Sequence, residues 1–207
     1  MRINPYVSRG GFKLAHALNK FGIDSKGKTA VDIGASTGGF TDCLLQQGAK
    51  KVYAVDVGYG QLEGALRNDS RVTAIDRQNA RHITPEIIGE FVDLVVIDVS
   101  FISLKLILPS AIELLKPDGK IIALVKPQFE VGKSAVENKG IIKDPQKHLN
   151  VLLVLRDFIH DHGWALKNLT SSPIQGREGN KEFLVYVVKH TQITLINDQY
   201  LFRTAFG

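Results

Sequence analysis

Four aspartates stand where apolar, β-branched runs end, and a glycine-rich segment follows the first of them. Asp32 and Ile33 precede the segment Gly-Ala-Ser-Thr-Gly-Gly-Phe at residues 34–40. Small residues let a backbone approach a ligand closely, and the start of a following helix offers free amide groups. We therefore predict a site for a nucleoside-containing cofactor. The residues expected to hold it are Asp32, Gly34, Ala35, Ser36, Gly38, Gly39, Phe40, Asp56, Asp76 and Asp98.

A single aspartate after a strand is usually a turn or helix cap. Four of them at the carboxyl ends of neighbouring strands favour a ligand site instead, since ligands bind at that edge of open α/β sheets. Asp56 could accept hydrogen bonds from ribose hydroxyls, and Asp76 could contact an adenosine. The glycine spacing matches neither the dinucleotide fingerprint nor a nucleotide-triphosphate loop.

Lys126 closes the fifth apolar run, in Ala123-Leu124-Val125-Lys126-Pro127-Gln128-Phe129. A lysine beside buried strands is either a surface residue with a buried stem or a group placed for chemistry. Its position at the same edge as the aspartates favours chemistry.

Short apolar runs alternate along the chain with amphipathic segments, which predicts a parallel sheet covered by helices on both faces. The predicted strands are Thr29–Ile33, Lys51–Val55, Val72–Ile75, Leu94–Asp98, Lys120–Lys126, Trp164–Ser171 and Phe183–Val188. The predicted helices are Phe40–Gln47, Gln61–Arg67, Pro85–Glu90, Leu104–Leu115 and Pro145–His162. The long connection from Pro127 to Asp144 is expected to be functional or mobile.

The link between the last two predicted strands, Ser171 to Lys181, is too short for a crossover helix. Strands joined in this way pair antiparallel. A seven-stranded, mostly parallel sheet with an antiparallel last strand is typical of the class I, Rossmann-like methyltransferase fold. We expect one domain over residues 1–189, whose first 28 residues form an N-terminal segment, and a partly ordered tail over residues 190–207.

The chain has 207 residues, a formal net charge of +5 and a sequence pI of about 9.3, which fits an acidic partner such as nucleic acid without requiring one. The single cysteine, Cys43, excludes an intrachain disulfide and fits a reducing compartment. No signal peptide or membrane-spanning run is visible, so a cytoplasmic protein is expected. The histidines show no metal-ligand spacing, and no metal site is predicted.

Six motifs in order resemble the TlyA ("hemolysin A") proteins, which belong to the FtsJ-like ribose 2′-O-methyltransferases. The resemblance runs from about Tyr6 to Lys189. The motifs lie at residues 8–14, 32–40, 55–62, 98–103, 126–130 and 179–183. The resemblance implies S-adenosyl-L-methionine as cofactor and ribosomal RNA or ribosomal subunits as partner. It also implies a catalytic set of Lys13, Asp98, Lys126 and Glu182.

The chemistry supports these roles independently of the family. A ribose 2′-hydroxyl is a poor nucleophile until a base takes its proton, and a lysine is a base only in its neutral form, which burial and a second positive charge favour. Our hypothesis is that Lys126 activates the hydroxyl and that Asp98 positions the lysine and the methyl group. Lys13 and Glu182 would then orient the ribose.

Full-length TlyA-like proteins resemble two-domain proteins, with a small RNA-binding domain before the Ser-Arg-Gly-Gly motif. That motif begins here at Ser8, so we expect the domain to be absent. RNA would then meet a basic rim, with Tyr59, Phe101 or Phe129 stacking on an exposed nucleotide. The rim candidates are Arg2, Arg9, Lys13, Lys20, Lys133, Lys139, Lys143, Arg177 and Lys181.

Three other functions stay open at this point. The chain could methylate a small molecule or a protein, although a lysine pair favours a hydroxyl over an amine target. It could be a cytolytic protein, as the hemolysin label suggests, although the absence of a membrane segment counts against this. It could also be an inactive member of the methyltransferase fold.

Overall fold

The computed structural model describes residues 4–131, 140–176, 179–189 and 196–207. Its centre is a seven-stranded sheet in the order β3-β2-β1-β4-β5-β7-β6. The strands are β1 Thr29–Ile33, β2 Lys51–Val55, β3 Val72–Ile75, β4 Val92–Ile97, β5 Leu115–Val125, β6 Ala165–Ser171 and β7 Phe183–Val188. The pairs from β3 to β5 are parallel, and β7 runs antiparallel to both β5 and β6. The predicted sheet is thereby confirmed.

Helices cover both faces of the sheet. They are α1 Gly10–Phe21, α2 Gly39–Gln46, α3 Gly64–Arg67, α4 Pro85–Ile88, α5 Leu108–Glu113, α6 Pro127–Glu130, α7 Pro145–Asp161 and α8 Asp198–Phe206, with 3₁₀ turns at Ala80–His82 and Leu104–Leu106. Within the described ranges, no helix combines the length and the apolar character needed to cross a membrane.

The side chains of each central strand alternate between two apolar layers, as the two-residue period of a strand requires. One layer packs Ala30, Val96 and Leu124 against Leu14 of α1 and Leu44 of α2. The other layer lies under α5, α7 and α8. It contains Val31, Ile97, Val125, Leu108, Leu155 and Leu201. Burial on both faces explains why these strands read as continuous apolar runs.

Helices α1 and α8 lie in segments for which the sequence predicted no helix. Helix α1 begins with two glycines and has no side-chain cap at Arg9, so it lacks the usual start signals. Helix α8 lies in the predicted partly ordered tail. It is capped by Asn197, whose side chain accepts a hydrogen bond from the Tyr200 amide, and it buries only Leu201 and Ala205. With only two buried residues in nine, the helix has too weak a hydrophobic periodicity to be detected in the sequence.

The predicted connection after Lys126 also begins with an unpredicted element, since α6 follows immediately. Residues 132–139 of that connection lie outside the described residues. Strand β5 begins earlier than expected, at Leu115, but its regular pairing with β4 starts at Lys120, where the sequence predicted the strand.

Candidate active site

The turn between β1 and α2 packs tightly against the end of β4. Gly34 has a φ of +83°, and a Cβ there would lie 2.5 Å from the backbone oxygen of Asp98. Its amide donates to Val55 at the end of β2. A side chain at Gly34 would therefore force the two strand ends apart, and only glycine combines this conformation with this contact.

A cavity of about 1140 Å³ opens beside this turn, at the carboxyl ends of β1, β4 and β5. It brings together most of the residues that the sequence predicted for the site. Those that line it are Lys13, Gly34, Ala35, Ser36, Gly39, Phe40, Asp98, Lys126 and Glu182. Asp32, Gly38, Asp56 and Asp76 do not line it.

The four predicted catalytic side chains form two ion pairs that face this cavity. The Nζ atom of Lys13 donates to Oε2 of Glu182 at 2.5 Å, and these residues are only 9% and 3% exposed. The Nζ atom of Lys126 lies 2.6 Å from Oδ1 of Asp98. It also donates to the hydroxyl of Ser100 at 2.8 Å. Each ammonium is thus fixed by a carboxylate near the cavity wall.

Lys13 reaches the cavity because the chain before α1 is docked on α2. The backbone amide of Val7 donates to the buried carboxylate of Asp42 at 2.8 Å. A Cβ at Gly39 would lie 2.1 Å from the Ser8 hydroxyl oxygen, so the two segments meet without room for a side chain. Helix α1 then presents Lys13 on its buried face.

Glu182 stands directly before β7, and a turn packs against its carboxylate. A Cβ at Gly176 would lie 2.1 Å from its Oε1 atom. Asn180 braces the same turn, since its side chain accepts from the Ile142 amide at 3.0 Å and donates to the Gly140 carbonyl at 3.0 Å. Asn180 and Ser100 both line the cavity but were not predicted as site residues, although each lies in a motif that carries the family resemblance.

The other strand-end aspartates have different surroundings. The carboxylate of Asp56 accepts from the amides of Ser36 and Gly58, at 2.8 and 2.7 Å, so it closes the loop beside the glycine turn. Asp76 pairs with Arg67 at 2.8 Å. Gly38 has a φ of +98° and packs against Leu62 and Leu66. Their predicted cofactor contacts stay predictions.

Asp32 is completely buried beneath the glycine turn. One of its oxygens accepts from the Thr41 hydroxyl at 2.7 Å, and the other has no hydrogen-bond partner among the described residues. Burial, with smaller contributions from the charges of Asp98 and Asp56, raises the pKa of Asp32 to about 7, although the hydrogen bonds from Thr41 lower it in part. A carboxylate in this setting is costly unless a positive charge lies near it.

Several predicted RNA contacts are exposed. Arg9 lines the mouth of the cavity, Lys20 lies in the last turn of α1, and Lys143 precedes α7. Lys181 instead donates to the Ala205 carbonyl of α8 at 3.1 Å. Arg2, Lys133, Lys139 and Arg177 lie outside the described residues.

Two of the three candidate stacking residues lie together. The Phe101 side chain is 89% exposed, and its ring centroid lies 4.9 Å from that of Phe129. The third, Tyr59, is 71% exposed and has the Arg77 guanidinium 4.5 Å from its ring centre.

An open α/β sheet with an antiparallel β7 and a cavity beside a glycine turn defines a Rossmann-like methyltransferase fold. The chain belongs to the FtsJ-like methyltransferase family, whose model matches residues 6–189. These two statements confirm the fold class and the family that the sequence predicted.

Individual relatives are also similar over most of the chain. YqxC of Bacillus subtilis (strain 168), whose name assigns it provisionally as an rRNA methyltransferase, is 51% identical over 183 residues, which are 88% of this chain and 65% of that protein. The 16S/23S rRNA (cytidine-2′-O)-methyltransferase TlyA of Mycobacterium tuberculosis (strain ATCC 25618 / H37Rv) is 47% identical over 190 residues, 92% of this chain and 71% of its own. A solved structure from Streptococcus thermophilus, described provisionally as a hemolysin, has 44% identity and a TM-score of 0.93 over 98% of this chain and 74% of its own. This chain thus spans about two thirds of the first of these relatives.

Proposed function

We propose that this protein transfers a methyl group from S-adenosyl-L-methionine to a ribose 2′-hydroxyl of ribosomal RNA. The observation that carries the proposal is the meeting of Lys13, Glu182, Asp98 and Lys126 in one cavity beside the glycine turn. The TlyA relative is named for the same reaction on the cytidines of 16S and 23S rRNA. RNA as substrate also fits the net charge of +5.

The residues around the glycine turn fit a cationic nucleoside cofactor. Gly34 leaves no space for a side chain, and the amides of Ser36 and Gly58 hold the Asp56 carboxylate at the end of β2. The buried carboxylate of Asp32 has one oxygen without a hydrogen-bond partner among the described residues, which suits a nearby positive charge. When bound, S-adenosyl-L-methionine supplies a methyl group activated by a sulfonium. Residues 34–36 and 39–40, with Asp56 and Asp98, would hold it.

Lys126 is the proposed base for the ribose hydroxyl. Its Nζ atom is fixed by Asp98 and Ser100 at the cavity wall. In its neutral form Lys126 would take the 2′-hydroxyl proton, which makes the ribose oxygen a nucleophile, and it would later return that proton to solvent. Asp98 restricts the lysine to one position and stabilises the ammonium that forms.

The Lys13–Glu182 pair is proposed to orient the ribose. Both side chains are almost fully buried, and they line the cavity from α1 and from the residue before β7. A lysine donor and a carboxylate acceptor side by side match the donor and acceptor character of ribose hydroxyls. Such positioning accounts for a large part of the rate of many enzymes.

Methyl transfer to ribosomal subunits tests this function directly. Purified protein is incubated with radiolabelled cofactor and 30S, 50S or naked rRNA, and the labelled nucleosides are identified by mass spectrometry. We expect 2′-O-methylated nucleosides in at least one RNA. Label on protein, on a base nitrogen or on no fraction would overturn the proposal, and a liposome-leakage assay on the same preparation tests a lytic activity.

A further inference from the structure

The two loops that carry Asp98 and Lys126 are joined beyond the ion pair itself. We call residues 98–104 the β4 loop and residues 126–130 the β5 turn. At the near end they meet through the contacts of Lys126 with Asp98 and Ser100. At the far end they meet through Glu130, whose Oε2 accepts from the Ser103 hydroxyl at 2.6 Å and whose Oε1 accepts from the Leu104 amide at 2.8 Å.

The β4 loop contains a strained residue between these two attachments. Phe101 has a φ of +63°, a left-handed backbone conformation that disfavours a bulky side chain. Strained residues of this kind persist where the surrounding contacts determine the backbone. Phe101 itself is mostly exposed and rests on Phe129, so the attachments on either side of it must hold the loop.

Glu130 is well placed to provide the outer attachment. Leu104 is buried in the core, and the Ser103 side chain also caps the 3₁₀ turn by accepting from the Lys105 amide at 3.2 Å. Burial raises the pKa of Glu130, while the Leu104 amide, the Ser103 hydroxyl and the charge of Lys105 act against that rise. Removing part of this carboxylate from water costs solvation free energy, and two hydrogen-bond donors of the β4 loop offset that cost.

We propose that Glu130 is a positioning residue that fixes the β4 loop against the β5 turn and thereby sets the geometry of the Asp98–Lys126 pair. The inference rests on the proposed function, because it assigns Glu130 to the reaction that this pair performs. Glu130 has no role in holding substrate or cofactor. It acts through Ser103 and Leu104 and is not among the residues that line the cavity.

The hydrogen bonds of Glu130 predict different effects for its replacement by Gln and by Ala. In Glu130→Gln, the amide oxygen can still accept from the Leu104 amide and the amide nitrogen can donate to the Ser103 hydroxyl oxygen, which is also an acceptor. In Glu130→Ala, both attachments are lost and the β4 loop keeps only its inner contacts. Steady-state kinetics on the RNA substrate therefore distinguish a positional role from the mere presence of a charge.

The matched control is Glu90→Ala. Glu90 likewise accepts two hydrogen bonds, from the Tyr53 hydroxyl at 2.8 Å and from Lys51 at 3.2 Å, but it lies before β4, at the opposite edge of the sheet. Because displacements near 1 Å can cost about 100-fold in rate, we expect kcat to fall by roughly 10- to 100-fold in Glu130→Ala. Glu130→Gln and Glu90→Ala should stay within about threefold of wild type.

Cofactor affinity completes the kinetic test. The dissociation constant of S-adenosyl-L-methionine, measured by calorimetry, should change much less than kcat in every Glu130 variant, because all the residues proposed to hold the cofactor except Asp98 lie outside the β4 loop. A wild-type kcat in Glu130→Ala, or equal losses in the Gln and Ala variants, would contradict the proposal.

Hydrogen–deuterium exchange tests the same inference without relying on catalysis. Peptides that cover residues 98–106 should exchange faster in Glu130→Ala and at the wild-type rate in Glu130→Gln, while peptides from β6 and α7 should not change. Should Glu130→Ala fail to fold, Ser103→Ala removes one of the two attachments and should accelerate exchange partially. Unchanged exchange in both alanine variants would overturn the proposal, whereas an inactive wild type would count only against the proposed function.

Discussion

At the residue scale, strands β4 and β5 carry two lysine–carboxylate pairs, one at each end. Lys126 lies 2.6 Å from Asp98 at the carboxyl end, whereas Lys116 lies 3.0 Å from Asp93 at the opposite end. The two pairs are alike in chemistry, but only the first faces the cavity beside the glycine turn. This contrast makes Lys116 a matched control for the proposed base.

Replacing Lys126 with Ala should lower kcat for RNA methylation by about 10²- to 10⁴-fold, the usual contribution of a general base. The affinity for S-adenosyl-L-methionine should stay within about threefold, since Lys126 is assigned to the hydroxyl. Lys116→Ala should leave both values near wild type. Single-turnover assays and calorimetry check this, and a Lys126→Ala enzyme with wild-type turnover would remove the lysine from the mechanism.

A second residue-scale prediction concerns Asp32, whose pKa is raised to about 7 by burial. In the unfolded chain this carboxyl ionises near pH 4, so between about pH 4 and 7 the folded state binds the extra proton. Stability should therefore fall as pH rises through this window, by up to about 1.4 kcal/mol per pH unit, and level off above it.

Asp32→Asn removes that titration and can still accept from Thr41. The difference in free energy of unfolding between wild type and Asp32→Asn should thus shift steadily in favour of the variant from pH 5 to pH 7 and remain constant above pH 7.5. Urea titrations at five pH values give this difference. Parallel pH curves for the two proteins would show that Asp32 keeps an ordinary pKa.

Some of these site residues could be predicted from the sequence pattern, and others could not. Asp98 and Lys126 could be predicted from strand ends, because neighbouring parallel strands bring such positions to one edge. Lys13 and Glu182 are 169 residues apart, and no periodicity could pair them, so they came only from the family resemblance. The attachment of Glu130 to Ser103 and Leu104 depends on the path of two loops, which no local pattern specifies.

At the element scale, the turn before β7 controls Glu182 through the absence of a side chain at Gly176. A Cβ there would lie 2.1 Å from Oε1 of Glu182, while Gly64, at the start of α3, has open space around it. Gly176→Ala should push Glu182 away from Lys13 and lower kcat/KM for RNA by roughly 10-fold or more. Gly64→Ala should keep full activity and be neutral or slightly stabilising.

Thermal unfolding distinguishes this effect from general damage. Glu182 can rotate away from an added methyl group, so the Tm of Gly176→Ala should change little compared with the loss of activity. A variant with wild-type kcat/KM would show that the turn tolerates a side chain and does not constrain Glu182.

Most strands could be predicted from the sequence because the burial of apolar side chains determines their local structure. Strands β1, β2 and β7 have the predicted bounds because apolar, β-branched residues fill both of their faces. The edge strand β3 has no buried residue, and polar turn residues on either side of it set its bounds. Helices α1 and α8 were not predicted. The first lacks a capping side chain, and the second is stabilised mostly by tertiary contacts, such as the Tyr200 hydroxyl donating to the Leu169 carbonyl.

At the scale of the whole molecule, the proposed substrate is a polyanion and the protein carries a net charge of +5. Contacts to phosphate release counterions, so the logarithm of the RNA-binding constant should fall linearly with the logarithm of salt concentration. The cavity mouth holds Arg9, which is exposed and has no hydrogen-bond or ion-pair partner from its side chain among the described residues. It is therefore available for one phosphate contact.

Arg9→Ala should weaken binding to ribosomal RNA about equally for all sequences and reduce the magnitude of the salt slope by roughly one. Lys50→Ala removes an equal charge at the start of β2, on the edge of the sheet opposite the cavity, and should leave the slope unchanged. Filter binding between 50 and 300 mM KCl measures both slopes. If the two substitutions change the slope equally, the RNA responds only to net charge, and the cavity edge does not direct its binding. If Arg9 alone changes it, RNA docks at the same edge that holds Lys126 and Asp98, as methylation in that cavity requires.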